Sequence, residues 1–173
     1  PKLRANASAT FGRFVLPGSL IAMIVIFSLM TSNFYSGTNI QNILDQAVVP
    51  LLLACGVTFV LSVGEFDLAF TAILGLAAAV VVELMANVGV HWSVAVLTLV
   101  PLGLVVGGVV GLLVTVGRAS SFIITLAVGS ALTGIELAIT GNQTIYQNIP
   151  PEFTALTSNR FLGLHLPVWF ALV

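Results

Sequence analysis

Four carboxylates stand where chemistry could be done within long apolar surroundings: Glu65, Asp67, Glu83 and Glu136. Glu65 and Asp67 belong to Gly64-Glu65-Phe66-Asp67-Leu68, the polar break between two apolar runs, Ala47 to Val63 and Leu68 to Val88. A carboxylate at the centre of a lipid-exposed helix costs about 2.5 to 3.5 kcal/mol. Both acids are therefore expected at a membrane boundary, or facing protein and water inside a helix bundle. Two residues apart on a helix, they would point to different sides. Asp67 suits the N-cap of the following helix, its carboxylate accepting from the N–H of Ala69 or Phe70. A gating role or direct solute contact stays open for the pair. Glu83 and Glu136 lie near the far ends of their runs, either reaching the boundary or facing an internal cavity where they bind solute or protons.

Other catalytic chemistry is hard to assemble from these residues. The two histidines, His91 and His165, fall at boundaries with no acid spaced as a co-ligand, so no metal site is expected. The single Cys55 has no partner in the chain, which excludes an internal disulfide and a CxxC site, and it reads as a small buried apolar residue. No GxxxxGK[ST] phosphate loop and no Ser/His/Asp arrangement is present, so neither an enzyme nor a cofactor is indicated. Net charge is -1 with no basic cluster, which speaks against nucleic acid as a partner.

The elements that must position these acids are set by composition. With 6% charged and 58% hydrophobic residues, and a mean hydropathy of +1.15, the chain cannot clothe a soluble globule. Soluble domains carry about 25% charged residues. An all-α, polytopic membrane fold in contact with lipid follows. Residues 1–13 are polar and basic and are expected in the cytoplasm. Spans are expected at about 14–30, 47–63, 68–88, 92–116 and 122–140, with residues 167–173 opening a sixth. The first span is read as retained, because no Ala-x-Ala-like cleavage site stands just after Met30.

Between spans one and two, Thr38-Asn39 is a plausible N-cap for a short interfacial helix. Pro101 is expected to kink span four. Gly103, Gly107 and Gly111 form a small-residue ladder along that span, expected to receive a neighbouring backbone. Gly141 to Leu166 reads as a long polar connection that either has a function or serves as a linker. A helix cannot stop in lipid seven residues into a span, so the chain reads as the amino-terminal portion of a longer subunit.

Asn39-Ile40-Gln41-Asn42-Ile43-Leu44-Asp45-Gln46, then Gly64 to Leu68, Gly107-Gly108-Val109-Val110-Gly111, and Ser121-Phe122-Ile123-Ile124-Thr125-Leu126 follow one another in a telling order. Together they resemble the permease subunit of bacterial ATP-binding-cassette importers for simple sugars, of the ribose/xylose/galactoside type. Departures from that pattern include Ala69 in place of the usual Ser, Thr71 for Gly, Ser121 for Pro, and Thr133 for an Arg.

The resemblance implies a multi-pass permease of the bacterial inner membrane, about ten spans long when complete, with a cytoplasmic N-terminus. It would pair with a second permease subunit, be driven by partner ATPase subunits, and receive its solute from an extracytoplasmic binding protein. On that reading Asn42, Gln46, Thr58, Thr125 and Thr133 are candidates to hydrogen-bond a sugar, and Phe66 to cover its apolar edge. Glu65, Asp67 and the glycine ladder would be structural or gating. A sibling permease for nucleosides or branched-chain amino acids, and a proton-coupled secondary transporter, are the alternatives.

Overall fold

The computed structural model describes residues 2–172, with side chains from residue 14 onward. It divides into two units, 1–46 and 47–173, which meet inside one helix. In the first unit, α1 (Lys2–Met30) includes Pro17 and begins well before the expected span; the side chains of residues 2–13 lie outside the described set. A turn packed by Phe34 edge-on against Tyr35 (centroids 5.1 Å apart) leads into α2 (Gly37–Ser62).

The interfacial helix expected between the first two spans is not separate. Its residues form the first turns of α2, which runs on without a break into the apolar stretch. The cap also lies one turn earlier than Thr38-Asn39. Ser36 Oγ accepts from the Asn39 N–H at 3.2 Å, and the Asn39 carboxamide donates to the Phe34 carbonyl at 2.7 Å. A hydroxyl three residues before an amide closes the N-terminal turn, so Ser36 rather than Asn39 sets the start. Pro50 lies within this helix, where it removes one intrahelical bond.

The second unit is organised by α6 (Ser121–Thr140) lying along α3 (Phe70–Ala86). Along α6, Ser121, Thr125, Gly129 and Leu132 are buried at steps of four, four and three. That is the spacing of one helix face. Leu76 of α3, Leu132 of α6 and Val106 of α5 (Leu99–Thr115) form one apolar core. Val81, Met85 and Ala95 form a second, covered by Trp92, Ile149 and Phe153. Ala95 belongs to α4 (Trp92–Leu97), capped by His91, whose ring accepts from the Ser93 N–H at 3.4 Å.

Pro101 does act on span four, but the break falls at Thr98, between α4 and α5. Proline has no N–H for the carbonyl four residues back and its ring crowds that carbonyl, which is that of Leu97. The helix therefore closes on Thr98, whose hydroxyl donates to the Ala95 carbonyl at 2.6 Å.

The polar connection after α6 is folded. It holds α7 (Pro151–Ser158), with Pro151 in its first turn, and a two-strand hairpin of β1 (Arg160–Phe161) and β2 (Leu164–His165). It leads to α8 (Leu166–Leu172), whose Trp169 donates to the Phe161 carbonyl at 2.9 Å.

Among the described residues, three stretches are long and apolar enough to cross a membrane: Gly37–Ser62, Trp92–Thr115 and Ser121–Thr140. Phe14–Met30 and Phe70–Ala86 are shorter apolar helices. At about 1.5 Å per residue, seventeen residues rise about 25 Å, the lower end of what spans a hydrocarbon core.

Candidate functional site

After α2 the polypeptide does not become helical again until Phe70. Val63 and Gly64 close the end of α2, their N–H groups donating to the carbonyls of Val60 and Leu61 at 3.3 and 3.0 Å. Gly64 has φ +82°, which a residue without Cβ adopts freely. Residues 65–69 then run non-helically beside the first turns of α6. The Phe66 N–H donates to Ser121 Oγ at 3.1 Å, and the Leu68 N–H donates to Thr125 Oγ1 at 3.1 Å.

The register follows from rise per residue. Two extended residues advance about 6.6 Å and four helical residues about 6 Å, so amides two apart meet hydroxyls four apart. One turn further, Gly129 leaves room for the chain. A Cβ built there would lie 3.4 Å from Ala69 Cα and 3.6 Å from the Leu68 carbonyl oxygen. Ala69 is completely buried and Thr125 is 2% exposed. Backbone polar groups without water must be satisfied by protein, and here α6 hydroxyls do it.

Asp67 lies between the two clamps. Its Oδ1 accepts from the Ala69 N–H at 2.7 Å, one of the two amides named from sequence. The N-cap position is nevertheless Ala69, two residues later than expected, because the clamps on α6 keep residues 66–68 out of helical geometry.

Beside this strap, residues of α2, α3, α5 and α6 line an open cavity of about 460 Å³. Its walls include Phe59, Glu65, Phe66, Asp67, Gly107 and Thr125. The size falls within the usual range for small-molecule sites, about 300 to 1,000 Å³.

The structure brings together some of the sequence candidates and separates others. Glu65, Phe66, Asp67, Gly107, Gly111 and Thr125 all line this cavity. Thr58, Gly103 and Thr133 do not, and the hydroxyls of Thr58 and Thr133 donate to the carbonyls of Ala54 and Gly129 on their own helices. Thr125 Oγ1 donates to the Ser121 carbonyl of its own helix at 2.7 Å while accepting from Leu68, so its one donor is already used. Asn42 and Gln46 lie on exposed positions of α2 in the first unit.

The glycine ladder does not receive a backbone from within the described chain: a Cβ at Gly103, Gly107 or Gly111 meets nothing within 4 Å. The adjacent stripe, with Leu102 and Val106, packs into the core instead. It has more apolar area to remove from water. Cys55, expected to be buried, is an exposed free thiol on α2.

Sequence reasoning missed Ser121 and Gly129 as the partners of the strap. Their signal was present: Ser121, Thr125 and Gly129 recur every four residues, a hydroxyl-and-glycine stripe along one face of the helix. At the opposite end of α6, Glu136 lies against Gly75, where an added Cβ would come within 2.6 Å of Oε2. Among the described residues, no group of three or more His, Cys, Asp or Glu could hold a metal ion.

Apolar helices of this length and composition, joined by a hydroxyl-clamped break, define a polytopic helical membrane protein. The family described as "Branched-chain amino acid transport system / permease component" matches residues 39–173, and this chain belongs to it. It is 29% identical to the ribose import permease protein RbsC of Haemophilus influenzae, over 95% of this chain and 53% of that protein. To RbsC of Escherichia coli K12 it is 32% identical, covering 87% of this chain and 48% of that protein. To the xylose transport system permease protein XylH of the same strain it is 32% identical, over 76% of this chain and 34% of that protein. The chain thus spans about half the length, or less, of these relatives. No solved structure matches it significantly.

Proposed function

We propose that this chain belongs to the membrane-spanning subunit of an ATP-driven, binding-protein-dependent importer, and forms part of the path for a simple sugar, a pentose or hexose. The observation that carries this reading is the similarity to ribose and xylose permeases through the region that holds the strap and its cavity. In this reading the subunit hydrolyses nothing itself. Partner ATPase subunits supply the energy, an extracytoplasmic binding protein delivers the sugar, and a second permease subunit completes the path. The subunit lies in the bacterial inner membrane with its N-terminus in the cytoplasm, and the full chain carries about ten spans.

The cavity suits such a solute on two counts. Phe66 offers an aromatic face to the apolar side of a sugar ring, and Glu65 and Asp67 offer acceptors for its hydroxyls. The strap is held to α6 through two amide-to-hydroxyl bonds, few enough to be exchanged as packed helices shift in alternating access.

A second reading is favoured by the family description itself, which names branched-chain amino acids. Uptake of labelled ribose, xylose, glucose and leucine by cells lacking the gene, and by the same cells complemented with it, separates the two. Loss and recovery of sugar uptake alone is expected. Loss of leucine uptake alone would overturn the sugar assignment, and unchanged uptake of all four would overturn both.

A further inference from the structure

Side-chain hydrogen-bonding groups without a protein partner also gather at the other end of α6. Ser121 and Glu136 are fifteen residues apart, about 22 Å along the helix. Two cavities lie there, of about 390 and 550 Å³, and both are lined by Thr140, Gln143, Thr144 and Ile145. The loop from Gly141 forms their shared wall, and it is tied back to α3 by Asn148, whose carboxamide donates to the Ala86 carbonyl at 3.4 Å.

Glu136 lines the first cavity and Glu83 the second. Glu83 Oε2 accepts from the Asn87 carboxamide at 2.7 Å. The Glu136 carboxylate, seated in the notch left by Gly75, receives no hydrogen bond from any described residue. The Gln143 side chain is likewise uncommitted among the described residues; only its backbone N–H is bonded, to the Thr140 carbonyl at 3.1 Å. A half-buried carboxylate without a protein donor takes its hydrogen bonds from water, which the hydroxyls of a ligand can replace. A carboxamide beside it adds two donors and an acceptor. Hydroxyls both donate and accept, so a polyol can satisfy both groups at once.

We propose that these adjoining cavities form a binding site for a polyhydroxylated solute, with Glu136 accepting from its hydroxyls and Gln143 both donating to and accepting from them. The sugar class of that solute rests on the transport reading above; the site itself rests on the cavities and their unspent groups. It is separate from the strap cavity and gives a path two stations at opposite ends of α6.

The test is equilibrium binding of tritiated D-ribose, D-xylose and D-glucose to the full-length permease with its ATPase subunits in lipid nanodiscs, without binding protein. Glu136→Ala is expected to weaken the sugar that binds wild type about tenfold, the scale of a hydrogen bond to a charged group, and Gln143→Ala about fivefold, the scale of a neutral one. Gln143 is exposed, so its variant keeps the test valid should Glu136→Ala fold poorly. Wild-type affinity in the Gln143 variant, or in both, overturns the site; cellular uptake, measured separately, then still stands for the transport reading. If wild type binds none of the sugars, the site is overturned as a sugar site whatever cells take up. Loss of uptake specificity for sugars in cells, with binding intact, overturns the transport reading alone.

Discussion

Removing the Thr125 hydroxyl while keeping its shape isolates the bond that holds the strap. In Thr125→Val the Leu68 N–H loses its acceptor beside a side chain that is only 2% exposed, so water does not readily replace it. This bond is part-buried, and leaving a shielded donor unmade costs about 1 to 3 kcal/mol. The Ser121 carbonyl also loses the Thr125 hydroxyl, but it keeps its ordinary helical partner, so this adds little. A net loss of about 2 kcal/mol, about 30-fold in the folding equilibrium, is expected. Thr125→Ser is the matched control: it keeps the hydroxyl and removes one methyl group, for about 0.8 kcal/mol. The assay is reversible unfolding of the full-length permease in mixed micelles, followed by tryptophan fluorescence. If Val is as stable as wild type, or Ser costs more than Val, then packing rather than hydrogen bonding holds the strap, and the account of residues 65–69 is wrong. Adding Ser121→Ala to Thr125→Val should cost less than the sum of the two, because a strap freed from one clamp gains less from the other.

Further outcomes follow from the same contacts. At Gly129 an alanine Cβ stands in ordinary contact with Ala69, so Gly129→Ala should fold within about 1 kcal/mol of wild type in the same assay, whereas Gly129→Val should lose about 1 to 3 kcal/mol by overpacking. Gly64→Ala places a Cβ at φ +82° and should cost about 1 to 2 kcal/mol, read as a lower unfolding midpoint. Ser36→Ala removes the cap of α2 and should cost about 1 kcal/mol, with faster amide exchange at Asn39 as its local signature.

Much of this was legible because lipid leaves few choices. Apolar runs of seventeen residues or more must be helices, and the acids at Glu65 and Asp67 mark where helix is given up. The Asp67 to Ala69 bond is local, so residue type and spacing suffice to name it. What could not be read was pairing across distance. Nothing near Phe66 says that its N–H will meet Ser121, fifty-five positions away, and only the four-residue stripe on α6 hints at it. The glycine ladder has no neighbour among the described residues for a related reason: small residues permit close approach without requiring it, and here the stripe with Val106 is the one that packs into the core. The loop after α6 looked like a plain connection because its helix and hairpin are short. They are held by scattered contacts, Phe153 on the Met85 core and Trp169 on Phe161, rather than by periodicity.

The central claim is that this subunit passes sugar at the expense of a partner's ATP. Its most direct test is uptake of labelled ribose or xylose by proteoliposomes holding the full-length permease and its ATPase subunits, with the binding protein added. The account expects sugar to accumulate only when both ATP and the binding protein are present, and to do so unchanged when the proton gradient is collapsed. Accumulation that follows the proton gradient without ATP, or none of either sugar when all components are supplied, would contradict it.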